Sequence, residues 1–196
     1  MGFYRNVKWI VSKLLPIFFK LEFIGFEKKV ASGKGYIICC NHVSNLDSVA
    51  IAIKVDAEIN FLGKAELFKN AFLAFAFRKL NVIPVTRGKG NSTALEKAVA
   101  VVKSGGVLGI FPEGTRSKDG KLKPPKSGAV FVALAAKADI LPMGITFEKR
   151  WLKRSKIVVK CGEMIRYEDL MVKERTHSEL RQASKFVMAK ISELIG

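Results

Sequence analysis

The sequence predicts an α/β protein: a central, mostly parallel mixed sheet flanked by helices, with an N-terminal amphipathic helical segment that associates with a membrane. Three observations carry that prediction. Short apolar runs without polar alternation, such as YIICC at 36–40 and VLGIF at 107–111, suit strands buried on both faces. Between such runs lie stretches with helical periodicity and helix start and stop signals. The first 24 residues mix aromatic, aliphatic and basic side chains at helical spacing. With 196 residues, the chain is long enough for one domain with its own core.

The elements follow in order. In GFYRNVKWIVSKLLPIFFKLEF, Phe3, Val7, Ile10, Leu14, Leu15 and Phe18 recur at helical spacing. Arg5, Lys8, Lys13 and Lys20 interrupt them, and Tyr4 and Trp9 add amphipathic rings. This is too charged to span a bilayer and suits a helix lying in the interface; the alternative is a terminal helix docked on the domain's own core. Pro16 is expected to kink or split it. Residues 1–24 are therefore set apart as a helical segment, and 25–196 as the main domain. YIICC (36–40) reads as a buried strand, SVAIAIKV (48–55) as a helix and EINFL (58–62) as a short strand. KAELFKNAFLAFAFRKL (64–80) is mostly helical and NVIPV (81–85) is a strand. Thr93 and Glu96 have capping-box spacing for a helix that stops at Gly105-Gly106. VLGIF is a strand, 128–136 a helix, and ILPMGITF and KIVVKC are strands. Thr176 and Glu179 form a second capping box, before a helix that carries Leu180, Ala183, Val187, Ile191 and Leu194.

Lys and Arg number 34 against 17 Asp and Glu, a net charge of +17. Such an excess calls for an anionic partner: nucleic acid, phosphorylated small molecules or an acidic membrane surface. The aromatic residues are mostly Phe inside apolar runs, and no nucleic-acid motif appears, so no specific nucleic-acid partner is expected. Cys39, Cys40 and Cys161 read as reduced thiols, because neighbours on a strand face opposite ways and no CxxC metal spacing exists. No metal is expected. There is no signal with a small-residue cleavage site, and no apolar run reaches the roughly 18 residues a spanning helix needs. Gly2 is followed by Asn6, so the myristoylation pattern is not met.

In open α/β sheets, ligand chemistry gathers outside the carboxyl ends of strands. The first candidate loop is NHVSNLD (41–47). On one continuous helix His42 and Asp47 would lie about 140° apart, so a turn must separate them if they meet. Ser44 as N-cap would put Asp47 in the first helical turn, facing back. The carboxylate could then fix one imidazole nitrogen and leave the other as a base; the alternative is a plain helix cap beside an exposed histidine. The second loop, NVIPVTRGKG, sends Arg87 out from a strand end near Lys64 and Lys89, as a phosphate ligand or a solvated turn residue. The third is FPEGTRSKDGKLKPPKSG. Glu113 could accept from a hydroxyl, Arg116 could take a phosphate, and Gly114 would permit close backbone approach; the alternative is an internal Glu113–Arg116 ion pair. Lys118, Lys121, Lys123 and Lys126 add positive field. In the fourth, ILPMGI, Pro142 indicates a strand start, an edge or a bulge.

Taken together, NHVSNLD, NVIPVTR, FPEGTRS and ILPMGI stand in the order and approximate spacing of the glycerolipid acyltransferase family, in particular its lysophosphatidic-acid-acylating branch. The chain resembles that family over about residues 35 to 150. The family usually has glycine where this chain has Asn81. The resemblance implies that His42 is the general base for the acceptor hydroxyl and Asp47 its orienting carboxylate. It implies that Arg87, Glu113, Gly114 and Arg116, with Thr115 between them, bind the acceptor's glycerol phosphate. It places Pro142 in a block linked to the acyl donor or to local structure. Lys64, in KAEL, is added as a phosphate contact from its charge.

The expected reaction is transfer of an acyl chain from an acyl thioester, acyl-CoA or acyl carrier protein, to the sn-2 hydroxyl of 1-acyl-sn-glycerol-3-phosphate. The product is phosphatidic acid, for phospholipid biosynthesis. Lysophosphatidic acid, the donor and an anionic membrane surface are the expected partners, with no cofactor beyond the donor thioester. The expected location is the cytoplasmic face of the cell membrane, as a peripheral or monotopic protein. Backbone N–H groups near the helix start after Asn41 are expected to hold the oxyanion. AFLAFAF (71–77) is expected to guide acyl chains, dip into the interface, or pack in the core. The alternatives are an acyltransferase for another lyso-lipid or glycerol-phosphate acceptor, or a lipid hydrolase using Ser44 or Ser48, for which no G-x-S-x-G elbow exists.

Overall fold

The computed structural model describes residues 2–26, 34–86, 92–148 and 155–196, leaving aside the Ser92 side chain. Helix α1 (Phe3–Phe18) carries Pro16 in its last turn and runs on past it. Strand β1 (Lys20–Ile24) follows at once. The expected helical segment 1–24 therefore ends early. Leu21 and Phe23 alternate around Glu22 with period two, and both pack against the apolar core of the sheet. The N-terminal segment is stitched into the domain rather than appended to it.

The remaining elements are β2 (Tyr36–Cys40), α2 (Asp47–Lys54), β3 (Ile59–Lys64), a 3-10 turn (Ala65–Phe68), α3 (Ala71–Lys79), β4 (Ile83–Val85) and α4 (Ser92–Lys103). Then come β5 (Val107–Ile110), α5 (Gly128–Ala136), β6 (Ile140–Glu148), β7 (Lys156–Cys161), a second 3-10 turn (Tyr167–Leu170) and α6 (His177–Ile195). The seven strands lie in the order β1-β7-β6-β2-β5-β3-β4. Every neighbouring pair is parallel except β6 with β7. Strands β2, β3, β4, β5 and β6 thus end on one edge of the sheet, the edge where an open α/β fold builds its site.

Two cores sandwich the sheet. On one face, β2, β5 and β6 meet α4, α5 and α6 through residues such as Leu108, Ala98, Val130 and Val187. On the other, Ile38, Ile145 and Val159 meet Ala50 and Ile51 of α2. Helix α1 docks outside α2: the Tyr4 hydroxyl accepts from Ile59 N–H at 3.0 Å, and Lys8 Nζ donates to the Val55 carbonyl at 2.6 Å. At α6 the Thr176 hydroxyl accepts from Glu179 N–H, and the Glu179 carboxylate accepts from Thr176 N–H. Such a cap stabilises by about 1 kcal/mol. His177 is exposed at the start of that helix.

Three local expectations are corrected, and Asn81 is accommodated. Residues 64–80 are not one helix: Lys64 ends β3, and Asn70 starts a new helix by accepting from Phe72 and Leu73 N–H. Helix α4 already includes Ser92, so Thr93 lies inside it rather than capping it. Asn81 has φ +58, the left-handed conformation that glycine adopts most readily and asparagine tolerates. Pro142 is the third residue of β6, an interior strand, and is neither at its start nor on an edge. Its missing N–H lies where β7 has already ended: Gly162, one residue past β7, donates to the Pro142 carbonyl at 2.9 Å. The ladder to β2 on the other side is undisturbed, with Pro142 opposite Cys39.

Cys39 and Cys40 are fully buried on opposite faces, each in a different core. Burial pushes both thiols up, and for Cys40 the Asp47 carboxylate adds to it. The native protein is therefore predicted to react with a thiol reagent such as DTNB at pH 8 at no more than Cys161, with all three thiols reacting after denaturation. Rapid native modification of Cys39 or Cys40 contradicts this core.

Candidate active site

Strand β2 delivers the site. Its ladder to β6 is carried one step further by Asn41, a buried side chain that copies backbone pairing. Its amide donates to the Ile145 carbonyl at 2.9 Å and its carbonyl accepts from Ile145 N–H at 2.8 Å. The chain must then turn, and His42 is the first residue released from the sheet.

The turn is built around one carboxylate. Asp47 is completely buried at the first position of α2. Its Oδ2 accepts from Val43 N–H at 2.8 Å, from Ser44 N–H at 2.8 Å and meets His42 Nδ1 at 2.6 Å. A carboxylate offers acceptors only, so the Nδ1 side of the ring carries the proton and Nε2 keeps the lone pair. The expected capping box is not formed. Ser44 does not cap α2; its hydroxyl accepts from Leu46 N–H at 3.2 Å. The carboxylate folds the loop onto itself instead, which is why His42 and Asp47 meet at a five-residue step. Asp47 Oδ1 is buried with no partner among the described residues.

The FPEGTRS loop, after β5, grips the same histidine through its backbone. Glu113 Oε1 accepts from His42 N–H at 2.8 Å, and Ser117 N–H donates to the His42 carbonyl at 2.7 Å. Glu113 Oε2 accepts from Lys123 N–H at 3.0 Å. Glu113, expected to accept from a substrate hydroxyl, is 4% exposed, and each of its oxygens takes a backbone donor. The N–H groups of residues 42, 43 and 44 all go to Glu113 or Asp47, which takes these three out of the expected set of oxyanion donors. No Glu113–Arg116 ion pair forms among the described residues. Lys123 Nζ reaches over the loop to the Arg116 carbonyl at 2.6 Å and the Thr115 hydroxyl at 3.3 Å. Gly114 takes φ +68, and a Cβ there would press within 3.1 Å of the Lys126 side chain. Arg116, exposed, is adjacent in sequence to the Ser117 strap on His42.

The ring of His42 lies flat on Phe111, centroids 4.0 Å apart and planes 14° from parallel. Phe111 is in turn nearly parallel to Phe61 of β3 at 5.9 Å. Phe61 has room because residue 109 is glycine: a Cβ there would sit 2.3 Å from the ring. Carboxylate and stack fix the ring in two directions, in its plane and perpendicular to it, and a fifth of the His42 side chain stays open to solvent.

Lys64, exposed at the carboxyl end of β3, lies beside Val85 at the end of β4. Arg87 and Lys89 follow β4 but fall outside the described residues. Pro142 is buried in β6. The site thus gathers His42, Asp47, Glu113, Gly114, Thr115 and Arg116 around one turn, with Lys64 on the same edge of the sheet. Sequence reasoning missed Asn41, Phe61, Phe111 and Gly109, and read Lys123 only as part of the positive field. Asn41 and Phe111 adjoin motif residues, but only the fold shows what they touch.

Gly109→Ala is predicted to displace the stack and lower turnover about 10–100-fold, with a stability loss of about 1–3 kcal/mol from overpacking. The double variant Gly109→Ala/Phe61→Leu should recover part of the turnover. Steady-state rates and thermal unfolding of the two variants check this; unchanged turnover in Gly109→Ala contradicts it.

A family model described as Acyltransferase matches residues 22–146, which contain all four motif blocks. The 1-acyl-sn-glycerol-3-phosphate acyltransferase of Bacillus subtilis (strain 168) is 28% identical over 178 residues, 86% of this chain and 88% of that protein. A chloroplastic 1-acyl-sn-glycerol-3-phosphate acyltransferase of Brassica napus is 30% identical over 137 residues, 69% of this chain but 39% of that longer protein. The crystal structure of the 1-acyl-sn-glycerophosphate (LPA) acyltransferase PlsC from Thermotoga maritima matches with a TM-score of 0.72 over 97% of this chain and 79% of that one. At 23% identity that likeness is one of fold. The match to the family model covers well over half of the sequence and includes both loops that hold His42, and the chain belongs to the acyltransferase family.

Proposed function

We propose that this acyltransferase moves an acyl chain from a thioester to the sn-2 hydroxyl of 1-acyl-sn-glycerol-3-phosphate, making phosphatidic acid for phospholipid biosynthesis. The observation that carries the reading is the 2.6 Å contact of His42 Nδ1 with Asp47 Oδ2. It leaves Nε2 as a base beside a loop that bears Arg116. The activity in the names of the relatives above supports the choice of acceptor.

In this mechanism Nε2 takes the proton of the acceptor hydroxyl as its oxygen attacks the thioester carbon. A C–O bond forms, the C–S bond breaks as the tetrahedral intermediate collapses, and the imidazolium returns the proton to the departing sulfur. Asp47 stabilises the imidazolium. Arg116, with Lys64 and Arg87 as further cations, takes the phosphate; a guanidinium suits it by two parallel hydrogen bonds. Gly114 and Thr115 keep the loop backbone close to the headgroup. No covalent acyl-enzyme and no resident cofactor are invoked. Acyl-CoA and acyl carrier protein are both anionic donors, and both suit a net charge of +17.

The proposed location is the cytoplasmic face of a membrane, as a peripheral protein. No helix of the described residues is long and apolar enough to cross a bilayer. The inner face of α1 is pinned by Tyr4 and Lys8, while its outer face exposes Phe3, Ile10, Leu14 and Ile17. Each basic residue near an anionic leaflet adds about 1 kcal/mol of attraction.

Purified protein given labelled acyl-CoA or acyl carrier protein with lysophosphatidic acid tests the reading. His42→Ala is predicted to lower turnover about 10²–10⁴-fold. Arg116→Ala should cost about 10–100-fold in kcat/KM for lysophosphatidic acid, and far less for a monoacylglycerol lacking the phosphate. Full activity in His42→Ala sinks the mechanism; equal use of both acceptors by the wild type sinks the acceptor assignment.

A further inference from the structure

Helix α3 presents an apolar surface that the reaction does not use. Phe72 is 77% exposed and Phe75 is 56% exposed, with Leu73 between them. The helix buries only Ala74. Side chains of this size left in water are costly unless something covers them. The patch is not isolated: Phe75 meets Phe3 of α1 edge-on, with centroids 6.3 Å apart. The outer faces of α1 and α3 therefore join into one surface.

We infer that α3 is a second membrane-contacting element, fused to α1 in a single platform that lays the α1–α2 side of the molecule on an anionic bilayer. The inference rests on the proposed lipid substrate and extends it to how the enzyme sits on the membrane. A lone amphipathic helix tethers a protein and leaves its orientation free; two elements in contact fix it.

Three observations favour a bilayer as the occupant. The patch has a basic rim: Lys69, Arg78 and Lys79 are exposed around α3, and Lys79 Nζ hangs 5.8 Å over the Phe75 ring. Headgroups of an anionic leaflet complement that rim, whereas a second copy of a +17 chain brings like charge against it. The start of α3 needs no water for its first free donors, because the Asn70 side-chain oxygen Oδ1 accepts from Phe72 N–H at 3.0 Å and Leu73 N–H at 3.1 Å. A helix end so capped can enter the weakly hydrated interface without orphaned groups at those positions. Finally, the ring stack under His42 belongs to the core that faces α2, on which α1 docks. The platform and the imidazole lie on the same side of the sheet, so a lipid drawn from the bilayer need not pass around it.

The test uses the full chain with vesicles of phosphatidylcholine, with and without phosphatidylglycerol. Phe72→Ser/Phe75→Ser is predicted to weaken partitioning onto the anionic vesicles by about tenfold or more. Its turnover of a short-chain, water-soluble acceptor and donor should remain at the wild-type level. In a Trp9→Phe/Trp151→Phe background, Phe72→Trp should give emission that shifts to the blue on anionic vesicles and is quenched by lipids brominated on their acyl chains. That arm decides the matter if the double serine variant fails to fold. Wild-type partitioning in the double variant, or a tryptophan at 72 that brominated lipid leaves unquenched, overturns the inference. So does a wild-type dimer that the double variant loses while its vesicle binding is unchanged, which makes the patch a subunit interface. Absence of short-chain turnover in the wild type counts against the proposed reaction and leaves the vesicle result standing.

Discussion

Three donors converge on one oxygen of Asp47, and the site depends on that convergence. Two come from the backbone of residues 43 and 44 and the third is the imidazole of His42. The same atom that shapes the turn therefore orients the base. Such coupling explains why a completely buried carboxylate is tolerated: hydrogen bonds to a charged acceptor are roughly twice as strong as neutral ones. It also means that the loop cannot relax without moving the ring.

The rest of the fold serves to present this turn at the right place. Asn41 prolongs the β2–β6 ladder by a side chain, so the sheet stays rigid up to the residue before His42. The loop after β5 then clasps the His42 backbone at both its N–H and its carbonyl. A cation-bearing loop and a base that arise on neighbouring parallel strands are thereby locked to each other. Glu113, read from sequence as a substrate ligand, is a strut between them. Among the described residues, the exposed cations at this edge of the sheet include Arg116 and Lys64.

Much of this was legible in the chain. The long apolar runs and helix signals placed six of the strands and most of the helices, because burial on both faces leaves a plain mark in composition. His42 and Asp47 were legible as a pair because their spacing demands a turn. The missed features are those that depend on partners distant in sequence. Strand β1 is five residues long and pairs with β7, more than 130 positions away, so nothing local separates it from the end of α1. The role of Glu113 is set by a backbone donor 71 residues away. Pro142 violates a rule that holds for paired strands, and only the end of β7 explains why it is harmless. Gly109 looks like a flaw in a buried strand until Phe61 is seen lying over it.

The central claim, that Asp47 holds His42 with its proton on Nδ1 and a free lone pair on Nε2, is open to direct observation. The chain has two histidines, and His177 is exposed at the start of α6. Imidazole ¹⁵N spectra of the neutral rings, assigned with His177→Gln, report the tautomer of each. The account predicts one ring locked with protonated Nδ1 and bare Nε2, and the other averaging as a free imidazole does. A His42 ring protonated on Nε2, or averaging like His177, contradicts it.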